Sequence, residues 1–372
     1  MQRQTRVHDP RVVLTLDAGR TGLKFSAIRG GKVLTGPSSR PTDADDRERC
    51  LRNIIDGFEQ LEQQLPEPPA AISFAFPGPA DYPLGIISGL ENFEAFREPV
   101  ALGPILEERF GVPVFINNDG DLFTYGEAIA GFLPYVNGLL QQAGNPKRYR
   151  NLFGVTIGTG FGAGIVRNGE LFLGDNSAGA EAWLLRNKLD AAVNAEEGAS
   201  IRGVRRVYAA ACGIAEQDAP EPRVIAEIAA GAASGNREAA QEAFRKMGEV
   251  AGDALAQALT LIDGLAVIGG GIAAAHPLFL SHLVQAMNAT YDGYATPLRR
   301  LAPIAFNIED PSQREAFLRG QVRTVQVPGS GREIQYDPMR RTAVGISRLG
   351  TSEAVAVGAY AFALRALDSG GS

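Results

Sequence analysis

The sequence predicts an α/β protein of two related domains that face each other across a cleft. Three observations carry that prediction. The chain has 372 residues, more than one hydrophobic core usually organises. Strand-like apolar runs alternate with helical patterns along most of its length. A unit of strand, glycine turn, strand and glycine hairpin occurs twice, once near the start and once near the middle.

The first copy is LTLDAGRTG…AIRGGKVL. Residues 12–16 and 23–28 read as strands joined by the DAGRTG turn, and Gly30-Gly31 as a hairpin. Residues 47–65 carry Leu51, Ile54, Ile55, Phe58, Leu61 and Leu65 at helical spacing, and Pro66, Pro68 and Pro69 end that helix. AISFAFPGPAD is a buried strand running into a rigid turn. PILEERFG is helical, PVFINN is a strand with Asp119 just past its end, and FTYGEAIAGFL begins the next helix.

The second copy, GVTIGTGFGAGIVRNGELF, lies within residues 151–173. Aligned with the first, it sets Gly19 against Gly160 and Asp17 against Gly158. Residues 199–212, 222–233 and 237–262 read as helices. LAVIGGGIAAA is a short buried strand entering three glycines and a helix. Residues 301–347 read as strand- and loop-rich, and SEAVAVGAYAFALRAL as a closing apolar helix. The expected division is a small N-terminal α/β domain, 1–118, completed by the C-terminal helix 351–372, and a large α/β domain, 119–350.

Composition narrows the function. Net charge is −6 and the pI about 5.3, which argues against a broad nucleic-acid surface. Cys50 and Cys212 stand far apart without a partner motif, which argues against a disulfide framework or a cysteine zinc site. The polar start has no apolar signal core and no run reaches the length of a membrane span, so a cytoplasmic protein is expected. The histidines His8, His276 and His282 sit at no metal-ligand or nucleophile spacing.

Chemistry concentrates at the glycines. A glycine turn after a strand exposes backbone N–H groups to which phosphate oxygens can come close. Two such turns could clamp a triphosphate, with Gly269-Gly270-Gly271 supporting the base or α-phosphate at a helix start. Asp17 is a candidate for Mg²⁺, held through water, or a carboxylate bonded within its own turn. Thr21 offers a hydroxyl to phosphate. Lys24 is either a phosphate contact or a solvated edge residue. Asp119 is placed as a general base for a substrate hydroxyl with Asn118 bonding a neighbouring hydroxyl, or the Asn-Asp-Gly run simply caps a helix. Glu181 and Glu196 are carboxylates that could each accept a pair of sugar hydroxyls, or lie exposed on helices.

These motifs together resemble the ROK family of sugar kinases and repressors, within the actin/hexokinase/Hsp70-like (ribonuclease H-like) superfamily. DAGRTGLK is similar to the family's DxGGTxxK loop, FPGPAD to its PGPvD segment, and VFINND to its catalytic NDAN segment. IGTGFGAGIVRNGELFLGDNSAGAE is similar to its long glycine run, and LAVIGGGI to its adenosine-site strand. The resemblance implies a two-domain kinase using ATP and Mg²⁺, with ATP in the cleft and a sugar as partner. It implies Asp119 as base, with Asn92, Asn118, Glu181 and Glu196 at the sugar. Asp17, Gly19, Thr21, Lys24, Gly158, Thr159, Gly160, Gly269 and Gly270 would surround ATP, and a homodimer is the assembly it suggests.

The chain departs from that pattern in places. Arg20 replaces the second glycine of the phosphate loop. EAWL, residues 181–184, replaces EIGH, so Leu184 stands where the family has histidine. Only fourteen residues separate Glu181 from Glu196 and none is cysteine, so no zinc is expected. Phe93 falls near where an aromatic would line the sugar site, and residues 301–347 exceed the family's usual tail. The expected activity is phosphorylation of a hexose or amino-sugar hydroxyl, with a sugar- or nucleotide-binding protein of weak turnover as the alternative. Only eleven residues precede Val12, too few for a helix-turn-helix, which disfavours a repressor.

Overall fold

The computed structural model describes residues 9–19, 22–35, 38–78, 80–90 and 93–370. Thr21, Arg20 and Asn92, all singled out above, lie outside the described residues. Contacts gather the chain into two units. The first holds the described residues up to Ala130, Leu171–Gly179 and the chain from Thr351 onward; the second holds Gly131–Glu170 and Ala180–Gly350.

The first unit is built on one mixed sheet. Lys32–Val33, Gly22–Arg29, Val13–Ala18, Ala71–Ala75 and Val114–Asn117 lie side by side in that order, and Ser38–Pro41 also pairs with Gly22–Arg29. The first three are antiparallel neighbours; Val13–Ala18, Ala71–Ala75 and Val114–Asn117 run parallel. Strand alternation sorts the side chains to two faces. Leu14 and Leu16 join a core with Ile54, Phe58 and Leu61 of helix Arg47–Glu62, while Val13 joins Tyr360, Ala363 and Leu364 of the C-terminal helix Thr351–Asp368. A sheet covered on both faces explains why Ala71–Ala75 is buried throughout. Asp46 starts the Arg47–Glu62 helix by accepting the Arg49 N–H at 3.1 Å.

The second unit repeats the scheme. Its sheet includes, in order, Phe161–Arg167, Leu152–Ile157, Leu265–Gly269, Arg341–Ile346 and Ile304–Asn307. Again an antiparallel hairpin stands beside parallel strands. Long helix Arg237–Ile262 packs on Ile201–Cys212 and His276–Met287.

The two sheets correct the sequence alignment of the hairpins. Asp17 pairs with Ala75, the last residue of its parallel neighbour, and Thr156 pairs with Gly269, the last residue of its own. Asp17 therefore corresponds to Thr156, not Gly158. The loops also differ in length: four residues separate the paired Ala18 and Leu23, three separate Ile157 and Phe161. Matching the glycines by sequence displaced the second hairpin by two residues relative to Asp17.

Three further expectations change. The helix expected to begin at FTYGEAIAGFL begins at Asp119 and stops at Ile129, and a separate helix, Phe132–Gln142, follows Gly131. The first unit extends to Ala130 rather than ending at 118, because helix Asp119–Ile129 packs along the C-terminal helix. Residues 301–347 contain a helix, Pro311–Arg319, started by Asp310, which accepts the N–H groups of Ser312 and Gln313 at 2.9 Å. Among the described residues no helix is long and apolar enough to cross a membrane.

Candidate active site

In the first unit the parallel register brings three strand ends level. Asp17 lies beside Ala75, and Ala75 beside Asn117. Phe76 N–H donates to the Asn117 carbonyl at 2.9 Å, extending the middle strand into Pro77-Gly78. The carboxyl ends of parallel strands are where open α/β sheets present ligand sites. Asp17, the Gly19 turn and Asn118-Asp119 all sit at this edge.

The Asn-Asp-Gly run divides its labour. Asn118 is the cap of helix Asp119–Ile129: its Oδ1 accepts the Gly120 N–H at 2.8 Å. Its Nδ2 reaches the Tyr82 hydroxyl at 3.4 Å, which in turn donates to the Phe76 carbonyl at 3.0 Å. Asp119 Oδ1 also accepts from Gly120 N–H, at 2.9 Å. The Asp119 carboxyl is reachable by solvent yet hemmed in by protein, and that desolvation raises its pKa above the ordinary aspartate value. The Asp17 charge adds to the rise, while the N–H groups of Gly120 and Asp119 oppose it. A carboxyl with a raised pKa beside a second carboxylate is a signature of an acid–base site.

Asp17 itself is exposed, and no described residue donates to its side chain. Lys24 is its cross-strand partner, also exposed, so the two side chains emerge on one face. The Gly19 turn is held from two sides: Gly19 N–H donates to Gly22 O at 3.0 Å, and the buried Thr42 hydroxyl donates to Gly19 O at 2.6 Å. Thr42 is far in sequence and carries no motif, so nothing in the sequence marks it.

The second unit gathers the other glycines. Gly158 N–H donates to Gly160 O at 3.0 Å across the turn, and Thr159 at its tip is exposed. The N–H groups of Thr159 and Gly160 have no acceptor among the described residues. Gly269-Gly270 follows the adjacent strand. Gly270 has φ +89°, and a Cβ there would run into the Ile157 backbone, so only glycine lets the two segments lie this close.

Glu196 is placed against this turn. Its Oε2 accepts the Phe161 N–H at 3.0 Å and its Oε1 pairs with Arg202 at 2.8 Å. Both oxygens are thus engaged, each with a second lone pair left to accept a further donor. Glu181 lies on a neighbouring segment, exposed, with its carboxylate accepting from the indole N–H of half-buried Trp183. Leu184 is 59% exposed. Phe93 is not a pocket lining: it is buried against Phe76 and Phe96, with ring centroids 5.7 and 5.1 Å away. Its apolar neighbours made it core, a fate that an aromatic in a strand-poor segment does not announce.

Residues fit for Mg²⁺ are few, as that ion demands. Among the described residues no group of three or more His, Cys, Asp or Glu side chains converges on one point. Mg²⁺ keeps most of its waters and takes one or two carboxylates plus phosphate oxygens. Exposed Asp17 beside a glycine turn suits that role.

The ROK family model matches residues 13–298. The chain belongs to the ROK family. A crystal structure of glucokinase from Parabacteroides distasonis is 51% identical, covers 98% of this chain and 99% of that one, and superposes with a TM-score of 0.90. Glucokinase of Thermotoga maritima is 28% identical over 45% of this chain and 49% of the relative. N-acetyl-D-glucosamine kinase of Vibrio cholerae is 25% identical over 50% of this chain and 57% of the relative. The chain spans about half the length of the curated relatives it matches. Its two-unit α/β architecture is the actin/hexokinase-like fold of the ROK kinases. Residues 301–347 lie beyond the family model but within the span shared with the P. distasonis structure.

Proposed function

We propose that this ROK protein transfers the γ-phosphoryl group of ATP to a hydroxyl of a hexose or amino sugar. The observation that carries the reading is Asp119, a solvent-reachable carboxyl with a raised pKa at a helix start beside Asp17. A base works best when its pKa approaches the operating pH. The sugar oxygen attacks the γ-phosphorus, the bond from that phosphorus to the β–γ bridging oxygen breaks, and ADP leaves. Asp119 takes the hydroxyl proton.

The remaining roles follow from type and position. Asn118, whose amide is already oriented by Gly120 and Tyr82, Asn92, Glu181 and Glu196 read sugar hydroxyls. Gly19, Thr21 and Lys24 serve the phosphates, with Gly158, Thr159, Gly160, Gly269 and Gly270 contributing backbone N–H groups and close approach. Asp17 would hold Mg²⁺, and the ion would neutralise charge on the phosphates. The names of the relatives, glucokinase and N-acetyl-D-glucosamine kinase, make glucose and N-acetylglucosamine the first sugars to try.

ADP release is the test, measured with ATP and Mg²⁺ over glucose, N-acetylglucosamine, other hexoses and N-acetylhexosamines, with Asp119→Asn alongside. Sugar-dependent turnover that the variant loses while still binding ATP is the expected result. A parent protein that binds nucleotide or sugar and turns over none of the panel would replace the kinase with a binding protein.

A further inference from the structure

Both glycine turns are anchored alike at their first glycine. In the first, the Gly19 N–H crosses the turn to Gly22 O at 3.0 Å and the Gly19 carbonyl accepts the Thr42 hydroxyl at 2.6 Å. In the second, the Gly158 N–H crosses to Gly160 O at 3.0 Å and the Gly158 carbonyl accepts the Ile201 N–H at 2.8 Å. The two anchors differ in kind. Ile201 uses a backbone donor at the start of helix Ile201–Cys212, which any residue except proline would supply. Thr42 uses its side chain, so that anchor depends on the residue.

Thr42 is itself held in place. It follows strand Ser38–Pro41, whose pairing sets Pro41 opposite Gly22. The next residue, Asp43, has φ +48°, a backbone conformation uncommon outside glycine. The Asn53 amide, from helix Arg47–Glu62, supports it, donating to Asp43 Oδ2 at 2.9 Å and to Pro41 O at 3.0 Å, one bond on each side of Thr42. Thr42 is fully buried, and its branched side chain is stiff about χ1.

A peptide unit is planar and trans, so its C=O and N–H point to opposite edges. Drawing the Gly19 carbonyl to Thr42 turns the N–H edge of the same peptide away from Thr42. With the peptide turned over, a carbonyl oxygen would take the place of that donor, and its partial negative charge repels an anion.

We propose that Thr42 is a positioning residue for nucleotide binding: its hydroxyl holds the first peptide of the Gly19 turn so that the N–H edge, and not the carbonyl, meets an ATP phosphate. The inference rests on the kinase reading given above. Thr342 offers a matched control. Its buried hydroxyl donates to Gly264 O, also at 2.6 Å, just before strand Leu265–Gly269 begins, whereas Gly270 follows the other end of that strand.

The experiment uses the full chain and measures ATP binding by calorimetry, KM for ATP, KM for the sugar, kcat and the melting temperature. Thr42→Val keeps the branched shape and removes the donor. It is expected to weaken ATP roughly tenfold, with the sugar KM within about twofold of the parent. Thr42→Ser restores the hydroxyl and is expected to recover most of that loss. Thr342→Val loses a bond of the same kind and length, and is expected to lower the melting temperature while leaving ATP affinity at the parent value. Asn53→Ala loosens the support of Thr42 from a half-buried position and covers the case in which Thr42→Val does not fold. It is expected to weaken ATP about threefold with the sugar KM unmoved.

ATP affinity unchanged in a folded Thr42→Val overturns the proposal, as does a loss that Thr42→Ser fails to recover or that Thr342→Val reproduces. If Thr42→Val does not fold, unchanged ATP affinity in Asn53→Ala overturns it. Failure of the kinase reading is separate and visible in the parent alone. A parent that binds ATP without sugar-dependent ADP release overturns that reading and leaves the calorimetric comparison to decide on Thr42; a parent that does not bind ATP overturns both.

Discussion

Gly126 and Gly358 meet where the helix that carries Asp119 crosses the C-terminal helix, backbone against backbone. A methyl group on Gly358 would lie 3.1 Å from the Gly126 nitrogen and press into the Leu122 carbonyl; one on Gly126 would press into the Ala354 carbonyl. Neither obstacle is a side chain that can swing away. Gly126→Ala and Gly358→Ala are each expected to cost at least about 1–3 kcal/mol by urea denaturation. Each should also lower kcat, because the helix forced aside starts at Asp119 and a small misplacement of a base is costly.

Asp119→Asn keeps the shape of the residue and removes its basicity. The expected loss in kcat is about 10²–10⁴-fold, with ATP affinity held near that of the parent. A variant with kcat within a few-fold of the parent would remove Asp119 from the chemistry.

The raised pKa of Asp119 predicts the acid side of the rate profile. The base must be deprotonated to act, so kcat/KM should rise with pH through a value above the ordinary aspartate pKa. Replacing Asp17 with Asn takes away the negative neighbour and should shift that limb to lower pH in whatever rate remains. Stability carries the same sign. A carboxyl whose folded pKa is raised lends stability that is full below its unfolded pKa and is lost as pH rises through the folded one. Asp119→Asn should therefore melt above the parent at neutral pH, and the gap should close in acid.

Trp183 is the only tryptophan in the chain, and its indole N–H engages Glu181. If Glu181 reads sugar hydroxyls, saturating sugar should change the intrinsic fluorescence. Trp183→Phe should raise the sugar KM roughly tenfold, the worth of a hydrogen bond to a charged group, with the ATP KM unmoved. Equal sugar KM values in the two proteins would show the indole to be a bystander.

In the second unit, Asp337 and Arg341 form an ion pair at 2.6 Å with both side chains fully buried. Burial alone would raise the Asp337 pKa, but the Asn145 amide, Arg341 and the Met339 and Gln321 N–H groups hold it below the ordinary value. Removing one partner of a buried pair strands the other, so Asp337→Asn should cost about 3–5 kcal/mol. In the parent this contribution is full above the unfolded aspartate pKa and fades as pH falls through the depressed folded one. Denaturation of both proteins across the acid range would show the difference shrinking.

Much of this fold was legible where local pattern and burial agree. Helix 237–262 was bounded from its spacing alone, and the strands around Asp17 and Gly158 were visible as apolar runs stopped by small residues. The helix at Asp119 was placed late because its first turn, Asp-Gly-Asp, looks like loop; the Asn118 cap is what makes it helix. Helix Pro311–Arg319 was missed for the opposite reason: it buries only Phe317, leaving no apolar stripe to find. At the site, single residues with their own chemistry, Asp17 and Asp119, could be named from sequence. Thr42, Arg202 and Tyr82 could not, because each acts through a partner that only the folded chain brings near.

The helix Thr351–Asp368 covers Val13, Ile28 and Ala71 of the first unit, yet nearly the whole second unit is encoded between them. During synthesis the opening strands must wait, one apolar face bare, until the 350 residues before that helix have been made. Folding of the first unit is thus timed by the arrival of the last helix, a long-range closure of the kind that is slow and exposed to aggregation. Ribosomes stalled before residue 351 should display a nascent chain that chaperones still hold, and release of the final helix should free it.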